Sequence, residues 1–411
     1  MTAPISSPPD RPLRILMVSR FRVHPDIQSG SQFYMLQALR RHAGTVDVLD
    51  ELLPPRRPGA HLARGPDFWR ASVPALARAA FWRLWGRRDN WGRHPAVCRY
   101  YARRIARQLR RGGPYDVVFA DKPYHELAFL ETDVPIVYSH DITFRQMLGY
   151  SREFTGLIPR AQREYADMER RATGRAAACV YAARWAADAA ARDIPVPPAK
   201  LRVIYCGPNF APALLPLEAP PLEATPPCRL LLVGRSWERK RCDLAVAVVE
   251  NLVQRGVPAR LTIVAAQPPP GRVLPACVTL HPAIRKQDPD GPRVLLDLYR
   301  ASTFFLLPSR AEGYGVSVLE ALACGLPTLT TAVGGLPEIV RDGENGFLLA
   351  PDAPPSAYAD RIAAALSDPG RYRALSRAAQ ETVRDTFNWE RWGRRMADLL
   401  RAVAQHQELP A

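Results

Sequence analysis

The 411-residue chain has few lysines, no closely paired cysteines and only short hydrophobic runs. No run approaches the roughly 18 apolar residues that a bilayer-spanning helix needs, so we expect no transmembrane segment. The seven cysteines include no Cys-x-x-Cys pair, which argues against a zinc ribbon and a disulfide framework. The first eleven residues contain three prolines and no apolar core, so we expect no secretory signal and a cytoplasmic chain.

Two common nucleotide-binding motifs are also missing. The chain has no Walker A loop with its lysine, and no Gly-x-Gly-x-x-Gly motif follows the first predicted strand, residues 13–18. These absences argue against a P-loop NTPase and against an oxidoreductase that uses a dinucleotide.

Positive charge is concentrated in one segment. Only four of the 56 basic residues are lysines, so the chain uses arginine for almost all of its positive charge. We interpret this as a general bias in composition, and the net charge of +16 does not by itself indicate nucleic-acid binding. Residues 51–111, however, hold 15 arginines against three acidic residues. If residues 72–86 form a helix, Val73, Leu76, Ala77, Ala80 and Leu84 form an apolar stripe. Trp82 would face the opposite side, outward, with Arg78 and Trp85 nearer to it than to the stripe. This pattern predicts docking on an anionic membrane surface, with a solvated insertion or a nucleic-acid site as open alternatives.

Short β-rich runs alternate with helical patterns along most of the chain. The predicted strands are 13–18, 46–49, 117–120, 136–139, 179–182, 203–205, 230–233, 261–265, 304–307, 328–331 and 347–349. Several runs are apolar on both faces, which predicts parallel sheets covered by helices on both sides. Seven prolines between residues 207 and 227 interrupt the alternation and indicate a linker. We therefore predict an N-terminal domain over 1–209 that contains the basic segment 51–111, a linker at 210–227, a second domain over 228–385, and a final helix within 386–411 that packs back across the hinge.

The most informative stretch is 306–325, where a buried strand leads through a glycine-containing turn into a helix that starts near Ser317. Free amides at such a helix start form an anion site suited to a phosphate. Glu312 and Glu320 flank the turn, and their carboxylates are suited to accept hydrogen bonds from sugar hydroxyls. Each glutamate also fits a capping box with the serine three residues before it, and this alternative stays open.

A second cluster of charge follows the predicted strand 230–233. Arg235 lies at the strand's C-terminal edge, and Lys240 follows near the start of the next helix. A guanidinium fork and an ammonium at one strand edge can clamp a diphosphate. A solvated basic loop is the alternative.

These motifs together resemble the C-terminal half of family 4 retaining glycosyltransferases. The resemblance is close over 230–389 and looser over 13–209, where Ser29-Gly30-Ser31 and Cys206-Gly207 depart from the family pattern. It implies the α/β fold called GT-B, in which two Rossmann-like, doubly wound parallel-sheet domains face a central cleft. The residues that carry it are Gly234-Arg235, Lys240, Glu312-x7-Glu320, Gly325-Leu326-Pro327, Gly334-Gly335-Leu336-Pro337-Glu338 and Gly343-Glu344-Asn345-Gly346.

The resemblance also implies roles for individual residues. Arg235 and Lys240 would bind the donor diphosphate, Glu320 would hold the ribose, and Glu312 would contact the donor sugar. His140, after the predicted strand 136–139, would contact the donor sugar or the acceptor, although a structural histidine is an open alternative. The remaining donor contacts would come from the first loop and from the backbone of the turn: Gly30, Gly313, Tyr314, Gly315 and Val316.

The implied activity is hexosyl transfer from a nucleotide sugar to a glycan or lipid-linked acceptor, with retained configuration, in cell-envelope polysaccharide or glycoconjugate synthesis. We expect no cofactor and no metal, since Asp288-Pro289-Asp290 follows no strand and is typical of a turn. The expected partners are the donor, the acceptor and an anionic membrane surface, with no nucleic acid. Two alternatives stay open: another GT-B enzyme such as a sugar-nucleotide epimerase, and a non-catalytic basic protein on the same scaffold.

Overall fold

The chain folds around two six-stranded parallel sheets. The computed structural model describes residues 11–52, 65–150, 153–215, 223 and 225–410. The first sheet contains β1 (Leu13–Ser19), β2 (Gly44–Leu49), β3 (Val117–Asp121), β4 (Ile136–His140), β5 (Ala178–Tyr181) and β6 (Leu201–Val203). The second contains β7 (Cys228–Val233), β8 (Ala259–Val264), β9 (Val278–His281), β10 (Phe304–Leu307), β11 (Thr328–Thr331) and β12 (Gly346–Leu349).

Helices connect these strands. Those of the first domain are α1 (Ser31–His42), α2 (Gly65–Leu84), α3 (Pro95–Arg111), α4 (Tyr124–Leu127), α5 (Phe144–Met147), α6 (Pro159–Arg175) and α7 (Arg184–Asp193). Those that follow β7 are α8 (Cys242–Gln254), α9 (Gly291–Arg300), α10 (Val316–Ala323), α11 (Leu336–Ile339), α12 (Pro355–Leu366), α13 (Pro369–Asp385) and α14 (Trp389–Ala404). Within the described ranges, no helix is both long and apolar enough to cross a bilayer.

Each sheet reverses its strand order once. The first runs β2-β1-β3-β4-β5-β6 and the second β12-β11-β10-β7-β8-β9, with every pairing parallel. The order changes direction between β1 and β3 in the first sheet and between β7 and β10 in the second. Ligands of open α/β sheets bind beyond the carboxyl ends of the strands at such switch points. The sequence-based prediction of two doubly wound sheets is confirmed.

The buried strands form because their residues are apolar on both faces. In β10, Phe304 to Leu307 are all fully buried, as helices cover both sides of the sheet. Helix α14 lies on α1 of the first domain, and its Trp392 ring packs against Phe119 of β3. The Trp389 indole donates to the backbone oxygen of Pro208 at 2.8 Å. One hydrophobic core therefore runs from the second sheet through α14 into the first domain.

Two strands differ from the sequence-based prediction. The short edge strand β9 was not predicted, because its four residues are only partly buried and carry no strong apolar run. The strand expected at 203–205 is β6, which ends at Val203. Tyr205 lies past its end and donates its hydroxyl to Glu338 of the second domain at 3.0 Å.

The orientation predicted for the basic segment is wrong. Helix α2 buries the face that carries Phe68, Ala71 and Ala75, because small residues let it pack closely against α3. Trp82 packs against the first domain's core, and Arg78 forms ion pairs with Asp89 and Glu164. The stripe predicted to be internal faces outward instead.

The exposed side of α2 therefore carries several large apolar side chains. We call Val73, Phe81, Leu84 and Trp85 the outer α2 face, and these side chains are 56%, 53%, 85% and 71% exposed. Residues 53–64 of the basic segment, and residues 216–222 and 224 of the predicted linker, lie outside the described part of the chain.

Candidate active site

The two sequence-predicted motifs lie on either side of the second sheet's switch point. The loop with Arg235 and Lys240 follows β7, and the turn with Glu312 follows β10, the two strands between which the order reverses. The carboxyl ends of adjacent parallel strands meet at one edge of the sheet. The topology therefore brings together residues that are more than 70 positions apart in the chain.

The two motifs touch directly. Lys240 Nζ donates to Glu312 Oε1, with both side chains less than 10% exposed. The same oxygen accepts from Arg239 Nη1 at 2.7 Å and from Ser309 Oγ at 3.1 Å. One buried carboxylate thus holds two cations and a hydroxyl, while Arg235 stays exposed and donates to the backbone oxygen of Asp26 at 3.3 Å.

The charges of this cluster affect one another. Burial alone would raise the pKa of the Glu312 carboxyl, but Lys240 and Arg239 hold that pKa below its ordinary value. Burial lowers the pKa of Lys240, against the attraction of Glu312. Glu312 is therefore ionised at neutral pH. With Arg235 counted, three cations face one anion, so the site has formal charge +2 when all of them are ionised.

Glycines allow the backbone to pass close to Glu312. Gly334 has φ of 59°, and a Cβ there would lie 1.6 Å from the backbone oxygen of Glu312. Gly315 has φ of 107° and is the N-cap residue of α10, which no side chain among the described residues caps. A Cβ on Gly234 would lie 2.8 Å from Lys240 Cε, so the lysine packs over the bare backbone at 234.

Glu320 is buried one turn into α10. It accepts hydrogen bonds from Lys286 Nζ and, at 3.1 Å, from the Tyr299 hydroxyl. Neither glutamate caps a helix, because α10 begins after Gly315 and Ser309 donates to Glu312 outside any helix. The capping alternative is therefore wrong for both.

The first domain supplies the opposite wall of the cleft. His140 ends β4, is 6% exposed, and its Nδ1 accepts from the backbone amides of Asp141 and Ile142 at 3.0 and 3.1 Å. Asp141 Oδ1 lies 3.2 Å from the same nitrogen, so the backbone and the carboxylate of the 141–142 turn both fix the orientation of the imidazole ring.

The first loop reaches across the cleft as well. Gly30 has φ of 88°, and a Cβ there would lie 2.5 Å from the oxygen of Pro25. Asn209 donates to the oxygen of Ser29 at 2.7 Å, and Asp26 accepts from the backbone amide of Lys286 at 2.6 Å. The loop that contains Gly30 is therefore held close to the side chains around Glu320.

Tyr150 of the first domain lies on the glycine turn. Its hydroxyl accepts from the Gly313 amide at 3.1 Å and from Arg239 at 3.3 Å. Burial raises the pKa of Tyr150 to about 12, so the hydroxyl keeps its proton. The Tyr314 side chain is buried and donates to the oxygen of Cys206 at 2.9 Å, so only the backbone of Tyr314 can face a ligand.

Several cleft residues were not predicted from the sequence: Arg239, Lys286, Tyr150, Lys122 and Asp141. Their contacts join distant parts of the chain, so local patterns do not reveal them. One sequence feature could have found the two lysines, because the chain has only four. The Asp288–Asp290 pair lies in a turn before α9, and within the described ranges no three His, Cys, Asp or Glu side chains form a possible metal site.

Comparison with known proteins agrees with this architecture. A sucrose-phosphate synthase from Thermosynechococcus elongatus superposes with a TM-score of 0.68 at 18% identity, over 96% of this chain and 100% of the other. HepE from Anabaena, solved with UDP and glucose, superposes with a TM-score of 0.60 at 15% identity, over 95% and 100%. Similarity at this level of identity concerns the fold, which is GT-B as the resemblance implied.

Sequence comparison identifies the family. A D-inositol 3-phosphate glycosyltransferase from Streptomyces bingchenggensis is 31% identical over 229 residues, 52% of this chain and 50% of the relative. The chain spans about half the length, or less, of the curated relatives that it matches. The family model described as "Glycosyltransferase Family 4" matches residues 33–210, and that described as "Glycosyl transferases group 1" matches residues 227–368. With the two-sheet fold and the cluster at its switch point, these adjoining matches show that the chain belongs to glycosyltransferase family 4.

Proposed function

We propose that this protein is a retaining glycosyltransferase that moves a hexosyl group from a nucleotide sugar to a hydroxyl of a glycan or lipid-linked acceptor. Its products would belong to cell-envelope polysaccharides or glycoconjugates. The observation that supports this most strongly is the contact between Lys240 and Glu312. It joins the cationic loop after β7 to the glycine turn after β10, at the point where open α/β sheets bind ligands.

The charge of the site suits a nucleotide sugar. Arg235, Arg239 and Lys240 outnumber Glu312 to leave a formal +2, which matches the two negative charges of a diphosphate diester. The start of α10 adds backbone amides and the positive end of a helix dipole. Glu320, now bonded to Lys286 and Tyr299, has two carboxylate oxygens that can accept from ribose hydroxyls.

Catalysis in this proposal is mainly stabilisation of the leaving group. The bond from the anomeric carbon to the diphosphate oxygen breaks, and the acceptor oxygen bonds to that carbon on the same face. The acceptor's proton passes to the departing diphosphate, whose added negative charge Arg235, Lys240 and the α10 amides stabilise. Such preorganised charge contributes on the order of several kcal/mol to catalysis. We propose that these protein cations supply the charge that a divalent metal would otherwise bring, with no cofactor required.

The nucleotide can be identified without knowing the acceptor. Because HepE was solved with UDP and glucose, we propose a uridine nucleotide. In a thermal-shift panel of UDP, GDP, ADP and their sugars, UDP should raise the melting temperature most. At a concentration 100 times its dissociation constant, UDP should increase the free energy of unfolding by about 2.7 kcal/mol. The UDP shift should persist in EDTA. If no nucleotide raises the melting temperature, the proposed function is wrong.

We also propose that the outer α2 face docks on an anionic membrane, where a lipid-linked acceptor would be found. Phe81, Leu84 and Trp85 are exposed at the end of α2, and Arg83 and Arg87 are exposed beside them. Exposed aromatic and aliphatic side chains next to arginines suit a bilayer interface with acidic headgroups. The charge comes from this segment rather than from Arg78, which is committed to Asp89 and Glu164.

Liposome flotation tests the docking. The variant Leu84→Ser/Trp85→Ser should lose binding to vesicles with 30% anionic lipid, and high salt should weaken wild-type binding. The control variant Val253→Ser/Val273→Ser removes two exposed apolar residues of the second domain and should float like wild type. Equal flotation of the α2 variant and wild type would contradict membrane docking.

A further inference from the structure

The chain's few lysines are gathered in the cleft. Of the four lysines among 56 basic residues, three pair with a carboxylate that lies in the cleft or on its walls. Lys240 pairs with Glu312 and Lys286 with Glu320, both in the proposed donor site. The third pairs with an aspartate of the opposite wall. An ammonium is a compact point charge and a guanidinium is a broad planar fork, so the two are not interchangeable in an ion pair.

The third pair is Lys122 with Asp141. Lys122 follows β3, Asp141 follows β4, and Lys122 Nζ donates to Asp141 Oδ2 at 2.9 Å. The lysine side chain is 13% exposed and the aspartate side chain 33%, so the carboxylate is the more accessible partner. Lys122 has φ of 65°, an uncommon conformation for a residue other than glycine, which commonly reflects a functional constraint.

Hydrogen bonds beneath this ion pair fix the backbone that carries it. The backbone amide of Lys122 donates to the oxygen of Ser139 at 3.0 Å. Asp121, which is 1% exposed, accepts from Gln32 at 2.8 Å and from the Ser139 hydroxyl at 3.1 Å. The wall around the pair is therefore ordered before any ligand binds.

Asp141 also lies next to the proposed donor site. A Cβ added to Gly313 would lie 3.7 Å from the oxygen of Asp141 and 3.9 Å from its Cγ. The carboxyl carbon thus lies 3.9 Å from the position that a side chain at Gly313 would occupy, on the side of the turn proposed to surround the donor sugar. A group bound by Asp141 would lie beside the anomeric carbon if the donor binds as proposed above.

We propose that Asp141 binds a hydroxyl of the acceptor and that Lys122 positions Asp141 for this contact. The inference rests on the proposed function, since it needs a donor sugar at the glycine turn. The acceptor chemistry that fits is an uncharged polyol, such as a sugar ring, because the accessible member of the pair is an anion that would repel a phosphate. Burial opposes ionisation of Asp141, but the Lys122 ammonium lowers its pKa below the ordinary value, so it is an acceptor at neutral pH.

The test separates acceptor binding from donor binding. Transfer from the UDP-sugar that gives the largest thermal shift is measured to a panel of methyl glycosides and the matching sugar 6-phosphates. Hydrolysis of the same donor is measured without acceptor. Asp141→Asn should raise the acceptor KM at least about tenfold, because this is the order of the affinity lost with one hydrogen bond to a charged group. Its donor hydrolysis and UDP affinity should stay within about twofold of wild type.

Lys122 is tested as a positioning residue. Lys122→Met should also raise the acceptor KM and leave UDP affinity unchanged. Lys122→Arg should not give the wild-type KM, because a planar guanidinium fork places its donors differently from an ammonium. The matched control is Lys200→Arg, at the only lysine outside the cleft, whose ammonium contacts the backbone oxygens of Gly174 and Ala176. It should behave like wild type.

Several outcomes would overturn this inference. The inference is wrong if Asp141→Asn leaves the acceptor KM unchanged. It is also wrong if the wild-type protein transfers the sugar only to the sugar phosphates, or to no member of the panel. If Asp141→Asn does not fold, Asp141→Glu, which keeps the charge but moves it by one methylene, must raise acceptor KM with unchanged UDP affinity. Failure of the proposed function itself would look different, because wild type would then show neither a UDP shift nor donor hydrolysis.

Discussion

Replacing Lys240 by methionine should damage both stability and activity, and a second substitution should separate the two effects. Lys240 and Glu312 are 6% and 7% exposed, so the substitution removes one partner of a buried ion pair. Breaking such a pair costs roughly 3–5 kcal/mol. Because Arg239 and Ser309 still bond to Glu312, we expect a loss near or below the lower end of this range.

The double variant Lys240→Met/Glu312→Gln removes both charges. Replacing a whole buried ion pair by uncharged residues of similar size is often neutral for stability. Arg239 loses its carboxylate partner in the double variant but keeps its bond to the Ala311 oxygen at 2.9 Å, so the double variant should regain part of the lost melting temperature. It should not regain activity. Loss of a cation that stabilises the leaving diphosphate should keep turnover on the order of 100-fold below wild type.

The assay combines melting curves with initial rates of donor hydrolysis and UDP titration. Arg361→Met is the control, since Arg361 and Asp342 form an exposed pair 46% and 44% accessible, whose loss should matter little. Activity that returns together with stability in the double variant would show that Lys240 has only a structural role. Full activity in Lys240→Met would refute the diphosphate site.

Three further predictions concern other parts of the molecule. Burial raises the pKa of Glu169 to about 8, above its unfolded value near 4.5, so folding favours the protonated acid. The free energy of unfolding should therefore fall as pH rises from about 4.5 through 8. Glu169→Gln should raise the melting temperature at pH 9 but not at pH 4, and equal shifts at both pH values would contradict this. Tyr150→Phe frees the Gly313 amide and should lower the donor KM several-fold if the donor uses that amide, whereas a higher donor KM would show that the hydroxyl helps binding. Glu338 accepts from the amides of Arg184 and Trp185 at 2.8 Å and so joins the two domains; Glu338→Ala should enlarge the radius of gyration in small-angle scattering while leaving UDP affinity unchanged.

The strand runs could be predicted from the sequence because burial on both faces produces uninterrupted apolar segments. The run that becomes β10, for example, has no polar residue and can only be a buried strand or a buried helix. Strand order could not be predicted, since pairing depends on packing between distant segments. It was the order, with β7 beside β10, that brought Lys240 to Glu312.

The orientation of α2 was wrong for a physical reason. The periodicity of the large apolar residues selects the stripe with Val73 and Leu84, yet the helix packs through Ala71 and Ala75, which allow close approach. The exposed stripe is what motivates the membrane proposal.

Long-range pairs were the other part that local patterns could not reveal. Tyr150 and Gly313 are 163 residues apart, and Lys286 lies in the loop after β9 whereas Glu320 lies in helix α10. Only the scarcity of lysine carried information about Lys286 and Lys122. The few lysines of an arginine-rich chain can therefore indicate a site for which the sequence contains no motif.

A crystal structure of the protein with UDP would test the central claim most directly. We expect a β-phosphate oxygen within hydrogen-bond distance of Lys240 Nζ and of a backbone amide at the start of α10, with the ribose hydroxyls on Glu320. UDP bound elsewhere, with Lys240 still paired to Glu312 and no phosphate near the glycine turn, would contradict the account.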